Sequence, residues 1–125
     1  MTATLQISPK LGVLKKRAEF LYVREGRYRA QGALVIQMRA NPSHTHIRIG
    51  YTATKKIGNA VTRNRAKRRL REVARSLLPL HGQAGHDYVF IARSGTTTRN
   101  WTALLDDAEK ALITLSKPKI HKSKS

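Results

Sequence analysis

A chain of 125 residues has the size of one small domain, and 25 Lys and Arg against seven Asp and Glu give it a formal net charge of +18. Hydrophobic residues still make up 40%, enough for a core, so the charge predicts a folded surface facing a polyanion rather than disorder. The absence of cysteine excludes a disulfide scaffold, a thiolate zinc site and a Cys nucleophile, and no apolar run nears the ~20 residues of a membrane span.

Residues 1–10 are polar and aperiodic, which predicts a flexible arm; they lack a charged-then-apolar leader pattern, and the expected location is cytoplasmic. Lys16–Glu25 reads as a helix closed by Gly26. Gly32–Arg39 reads as a strand ended by the Asn41-Pro42 turn. His46–Thr54 alternates, with Ile47, Ile49, Tyr51 and Ala53 on one face and Arg48, Gly50, Thr52 and Thr54 on the other. These two strands are expected to form an antiparallel hairpin. Asn59 caps a long helix from about Ala60 to Leu78, stopped by Pro79 and Gly82. Asp87–Arg93, nearly continuous in apolar residues, suits a sheet interior. A last amphipathic helix covers about Trp101 to Leu115, and Asp106 and Lys110 stand four apart on its outer side. The domain is expected over 11–116, and residues 117–125, with alternating lysines, as a disordered basic tail. The order of elements predicts a small α+β sandwich.

The charge is concentrated. Nine cations and one acid, Glu72, lie between Lys55 and Arg75. On a helical wheel, Ala66, Leu70, Val73 and Leu77 share one stripe, while Asn64, Arg68, Arg71 and Arg75 occupy the far side, with Arg65 and Arg69 flanking them. An ordinary charge run is a solvated face. Here, however, Arg predominates over Lys and few carboxylates are available for pairing. Arg grips phosphate bidentately, and Asn64 offers an amide to a base edge or a 2′-hydroxyl. The entry to the helix, Lys55-Lys56-Ile57-Gly58-Asn59-Ala60, brings a basic strand end and a glycine turn to a helix N-terminus suited to phosphate.

The block from Thr54 to Glu72, with Arg63-Asn64-Arg65 at its centre, resembles the signature of the bacterial ribonuclease P protein component. Leu14–Phe20 is similar to that family's first helix, Arg48-Ile49-Gly50 to the strand before the motif, and Asp87–Arg93 to its last strand. The resemblance implies an α-β-β-β-α-β-α fold with a central four-stranded sheet and a left-handed crossover through the motif helix. It further implies a protein subunit, monomeric in a 1:1 complex with a catalytic RNA subunit. That RNA, with Mg2+ as its cofactor, removes the 5′ leader of precursor tRNA. No protein catalytic residue, small-molecule cofactor or membrane partner is expected.

Carried onto this chain, the resemblance makes Lys55, Lys56, Arg63, Asn64, Arg65, Lys67, Arg68 and Arg71 the RNA-facing residues. It makes Phe20 an aromatic of a cleft for the leader. Family members commonly carry a second aromatic one turn later, where this chain has Arg24, whose guanidinium can also stack on a base. Ile36 and Tyr51 are read either as contributors to the same cleft from the sheet or as core residues.

A nuclease acting alone would need acids holding a metal, or paired histidines. Asp106, Asp107 and Glu109 read as the solvated back of the last helix, and His44 and His46 as loop residues with no carboxylate near in sequence. A general basic RNA-binding or ribosomal protein fits the composition equally well. A DNA-binding helix-turn-helix is disfavoured, because no short helix and tight turn precede the arginine helix.

Overall fold

The computed structural model describes residues 11–117. The elements run β1 (Leu11–Val13), α1 (Arg17–Arg24), β2 (Arg27–Gln31), β3 (Leu34–Ala40), β4 (Ile47–Thr52), a 3-10 turn at Lys55–Ile57, α2 (Ala60–His81), β5 (His86–Ala92) and α3 (Trp101–Ser116). The architecture is α+β, with one mixed sheet of order β1-β4-β5-β3-β2. The expected arm at 1–10, and the tail beyond Lys117, lie outside the described residues.

The sheet has five strands rather than four, because Leu11–Val13 adds a short parallel strand beside β4. The expected β3–β4 hairpin is not formed. β5 lies between them, antiparallel to β3 and parallel to β4, so the Asn41-Pro42 segment is a link across the end of the sheet. The apolar run Tyr88-Val89-Phe90-Ile91-Ala92 explains this placement, since a strand buried on both faces belongs at the centre. β3 instead forms a hairpin with β2, a strand without an apolar alternation to announce it: its sequence, Arg-Tyr-Arg-Ala-Gln, has the polarity of an exposed edge. Gly32, at φ 54°, supplies the left-handed residue of that turn.

α2 continues past Pro79 to His81. A proline one turn from the end removes a single helical hydrogen bond. Burial of Leu77 and Leu78, and the bond from Gly82 N–H to the Leu78 carbonyl at 2.8 Å, hold the final turn. At its start, Asn59 caps the helix as expected, its side-chain oxygen accepting from Thr62 N–H at 2.9 Å.

The two faces of the sheet are covered unequally. α2 and α3 lie on one face, where Leu34, Ile36, Ile47, Ile49, Tyr88 and Phe90 meet Ala66, Leu70, Val73, Leu104, Ala108 and Leu112 in the main core. Among the described residues the other face carries only α1, with a small cluster of Leu14, Val23 and Val89 edged by Phe20, Tyr22 and Ile91. Those residues leave part of that face uncovered.

Candidate nucleic-acid interface

Strand register lays out the open face in rows. Gly50, Val89, Gln37 and Tyr28 stand side by side across β4, β5, β3 and β2; Thr52, Ile91, Val35 and Ala30 form the next row. α1 crosses beside these rows and leaves a cleft of about 680 Å³, walled by Lys15, Arg17, Phe20, Leu21 and Arg24 and floored by Gln37, Thr52, Thr54, Val89 and Ile91. Phe20 rests on Gly50, where an added Cβ would stand 2.6 Å from two atoms of the ring. Glycine is needed there for close approach, and it seats the aromatic ring at the cleft.

A chain of charged groups below the cleft sets the position of α1. Asp87 is fully buried and accepts from Arg48 Nε and Nη2, both at 2.9 Å, from Asn41 Nδ2 at 2.9 Å and from His44 Nε2 at 2.7 Å. Burial alone would raise its pKa, but the hydrogen bonds from Arg48, Asn41 and His44 outweigh it and hold the carboxyl below its ordinary value. The same bond raises the Arg48 guanidinium above its ordinary value. Arg48 also reaches Glu19 on α1 at 3.4 Å. Glu19 accepts from the Lys15 and Lys16 backbone N–H groups at 2.8 and 2.9 Å, and those bonds, Lys16 first, lower its pKa. The link therefore runs from β5 through β4 to the start of α1. At the other end of the helix, Arg39 donates to the Tyr22 carbonyl at 3.0 Å and lies 4.0 Å from the Tyr22 ring centroid.

Phe20 and Arg24 line one and the same cleft. Ile36 and Tyr51 do not join them. Alternation turns both to the opposite face: Ile36 is fully buried in the main core, and Tyr51 packs edge-on to Phe90 beneath the Arg71 guanidinium, 5.3 Å from its ring centroid. Burial raises the Tyr51 pKa. Nothing local in the sequence marks Gln37, Val89 and Ile91 as cleft residues, whereas the alternation of His46–Thr54 puts Thr52 and Thr54 on the cleft face.

Just beyond Thr54 the chain passes into the arginine helix. Lys55, Lys56, Asn64, Arg65, Arg68 and Arg71 are exposed, and Arg63 and Lys67 are half-buried. Arg63, Asn64 and Lys67 line a shallow cavity of about 190 Å³ with Ala53 and Ala60. Arg63 Nε is buried there without a hydrogen-bond partner among the described residues. Arg69 differs from its neighbours. It donates to the Thr96 and Arg99 carbonyls, both at 2.7 Å, and lies over Trp101, so it secures the loop before α3.

The acids of α3 depart from the expected solvated face at one position. Asp107 is buried; it forms a two-pronged pair with Arg99 at 3.0 Å and accepts from Ala33 N–H at 3.0 Å, tying α3 to the β2–β3 turn. Asp106 pairs with Lys110, and Glu109 with His81, both at 3.0 Å. Among the described residues no group of three or more His, Asp or Glu side chains could hold a metal ion. No helix among them is long and apolar enough to cross a membrane.

An open, partly apolar sheet face with cationic walls, joined to a one-sided arginine helix, defines an α+β nucleic-acid-binding domain. The ribonuclease P family model matches residues 9–116. The chain is 57% identical over 104 residues to a ribonuclease P protein component of Caulobacter vibrioides, covering 82% of this chain and 70% of that protein. It is 47% identical over 115 residues to the corresponding protein of Ruegeria pomeroyi, covering 90% and 92%. Among solved structures, the Staphylococcus aureus RNase P protein superposes with a TM-score of 0.72 at 29% identity, covering 86% of this chain and 97% of that one. The Thermotoga maritima RNase P protein gives 0.67 at 25%, covering 78% and 91%. The chain belongs to the ribonuclease P protein family.

Proposed function

We propose that this chain is the RNA-binding subunit of a ribonuclease P holoenzyme, docking on a catalytic RNA through α2 and holding the 5′ leader of precursor tRNA in the cleft beside α1. The observation that carries the reading is the pairing of the two surfaces: an open cleft with Phe20 seated on Gly50, and an arginine helix entered just beyond the cleft's last residue, Thr54. A basic groove with an aromatic face suits unpaired nucleotides. The arginines suit phosphates, and the orphaned Arg63 Nε is a donor that an RNA oxygen would satisfy.

The acids of this chain do not fit a Mg2+ ion. Asp87 and Asp107 are taken up by arginine, Glu19, Glu72, Asp106 and Glu109 each pair with a base, and Glu25 belongs to no group of three or more acids or histidines among the described residues that could hold a metal. The reading therefore assigns Mg2+ and catalysis to the RNA, and leaves to this protein the binding and orientation of the leader and the neutralisation of phosphate charge. The test is binding of precursor and mature tRNA to the reconstituted holoenzyme. Phe20→Ala is expected to weaken precursor binding about tenfold and leave mature tRNA unchanged. Equal loss for both overturns the leader assignment.

A further inference from the structure

One large aromatic side chain stands on the open face without a role in the core. Tyr28 is 70% exposed, far more than the other tyrosines and phenylalanines of the sheet. It lies on β2 directly opposite Gln37, and Gln37 is part of the cleft floor. The row that begins at Gly50, under the Phe20 ring, thus ends at Tyr28. Three strand intervals separate the ends of that row, about 14 Å at ~4.8 Å per strand. Arg24 and Gln37 line the cleft between them.

We propose that Tyr28 is a second stacking platform, extending the leader groove from the Phe20 cleft across Gln37 to the edge of the sheet. The inference rests on the leader reading of the cleft and deepens it by fixing the direction and length of the bound strand. Tyrosine is common on strands, and at an edge it needs no further reason. What favours a binding role is its continuity with the cleft, on the same face and in the same row, with an exposed arginine alongside. A base can stack on the ring while the Arg24 guanidinium takes a phosphate. At ~3.4 Å per stacked nucleotide, the row spans about four nucleotides of single strand.

The experiment uses holoenzyme reconstituted with Phe20→Ala, Tyr28→Ala or Tyr28→Phe and precursor tRNAs whose leaders are shortened one nucleotide at a time, with mature tRNA as control. Phe20→Ala is expected to weaken binding of every precursor whose leader reaches the cleft. Tyr28→Ala should match the unaltered protein until the leader is about four nucleotides longer than the length at which Phe20→Ala first takes effect, and lose about five- to tenfold beyond it. Tyr28→Phe, which keeps the ring, should bind like the unaltered protein. If Phe20→Ala shows the leader effect and Tyr28→Ala binds normally at all lengths, the extension across β2 is overturned and the cleft stands. The extension also fails if Tyr28→Ala weakens mature tRNA equally. If Phe20→Ala itself spares the precursors, the leader reading falls and the extension with it.

Discussion

The two faces of the sheet are built from the same strands, residue by alternate residue, and do opposite work. On the α2–α3 face the side chains at Leu34, Ile36, Ile47, Phe90 and Leu112 are almost wholly excluded from water. On the α1 face an eight-residue helix covers less than the sheet offers, and Thr52, Val35 and Ile91 remain half-exposed. Apolar burial supplies most of the stability of a domain this small, so the packed face must carry the open one. The open face can then keep a glycine under a phenylalanine and an uncovered floor, features that would weaken a core.

The division predicts effects of different kinds and sizes. The largest is expected at Asp87, which joins β5 to β4 and, through Arg48, to α1. Asp87→Ala should cost about 3–5 kcal/mol in urea unfolding, because it leaves Arg48 and two other donors without their buried acceptor. The pH dependence follows from the direction of its shift. Its folded pKa is depressed, so its contribution is complete at neutral pH and is lost as pH falls below ~4 and through the folded value. Asp87→Asn should therefore flatten the loss of stability on acidification. An unchanged acid profile would contradict this role.

Next, Ile36→Ala should cost about 3 kcal/mol in unfolding while the precursor-to-mature preference of the surviving folded protein stays the same. A changed leader preference would mean that the two faces are not separable. Gly50→Ala probes the opposite case. The new methyl group would displace the Phe20 ring, so leader binding should fall by a factor close to that of Phe20→Ala, with α2-dependent RNA assembly preserved. The smallest expected change distinguishes arginines within one helix. Arg68→Ala should reduce the log–log salt slope of RNA assembly by about one with little effect on melting. Arg69→Ala should lower stability by about 1–2 kcal/mol, since its two carbonyl partners lose their donor. Equal slopes for the two variants would remove the distinction.

Much of this was legible in the residues themselves. The apolar stripe of α2, its Asn59 cap and the alternation of β4 are local properties, and periodicity reports local properties well. Phe20 and Arg24 stand one helical turn apart, but their place at a cleft came from the family resemblance and not from periodicity. What could not be read was pairing between distant segments. Nothing in Leu34–Ala40 says that its neighbour is β5 rather than β4, because strand order depends on which strand can be buried on both faces. The sidedness of Ile36 depended on that same pairing. The buried partners Asp87 and Asp107 escaped notice because their arginine and amide donors come from elsewhere in the chain, and only the fold brings them together.

The position of β5 also bears on how the chain reaches this state during synthesis. Residues 86–92 emerge after β2, β3, β4 and α2, yet they supply both neighbours with their central partner, through seven residue pairs to β3 and six to β4. Until that segment has left the ribosome, the β2–β3 hairpin and the β4–α2 unit have no shared sheet, and their facing edges lack a partner. Assembly then resembles the closing of an arch, in which two flanks wait for β5 to join them before α3 covers the core. A chain released before His86 would hold neither surface in register with the other, and termination early or late in the last third of the message should divide sharply between unfolded and native product.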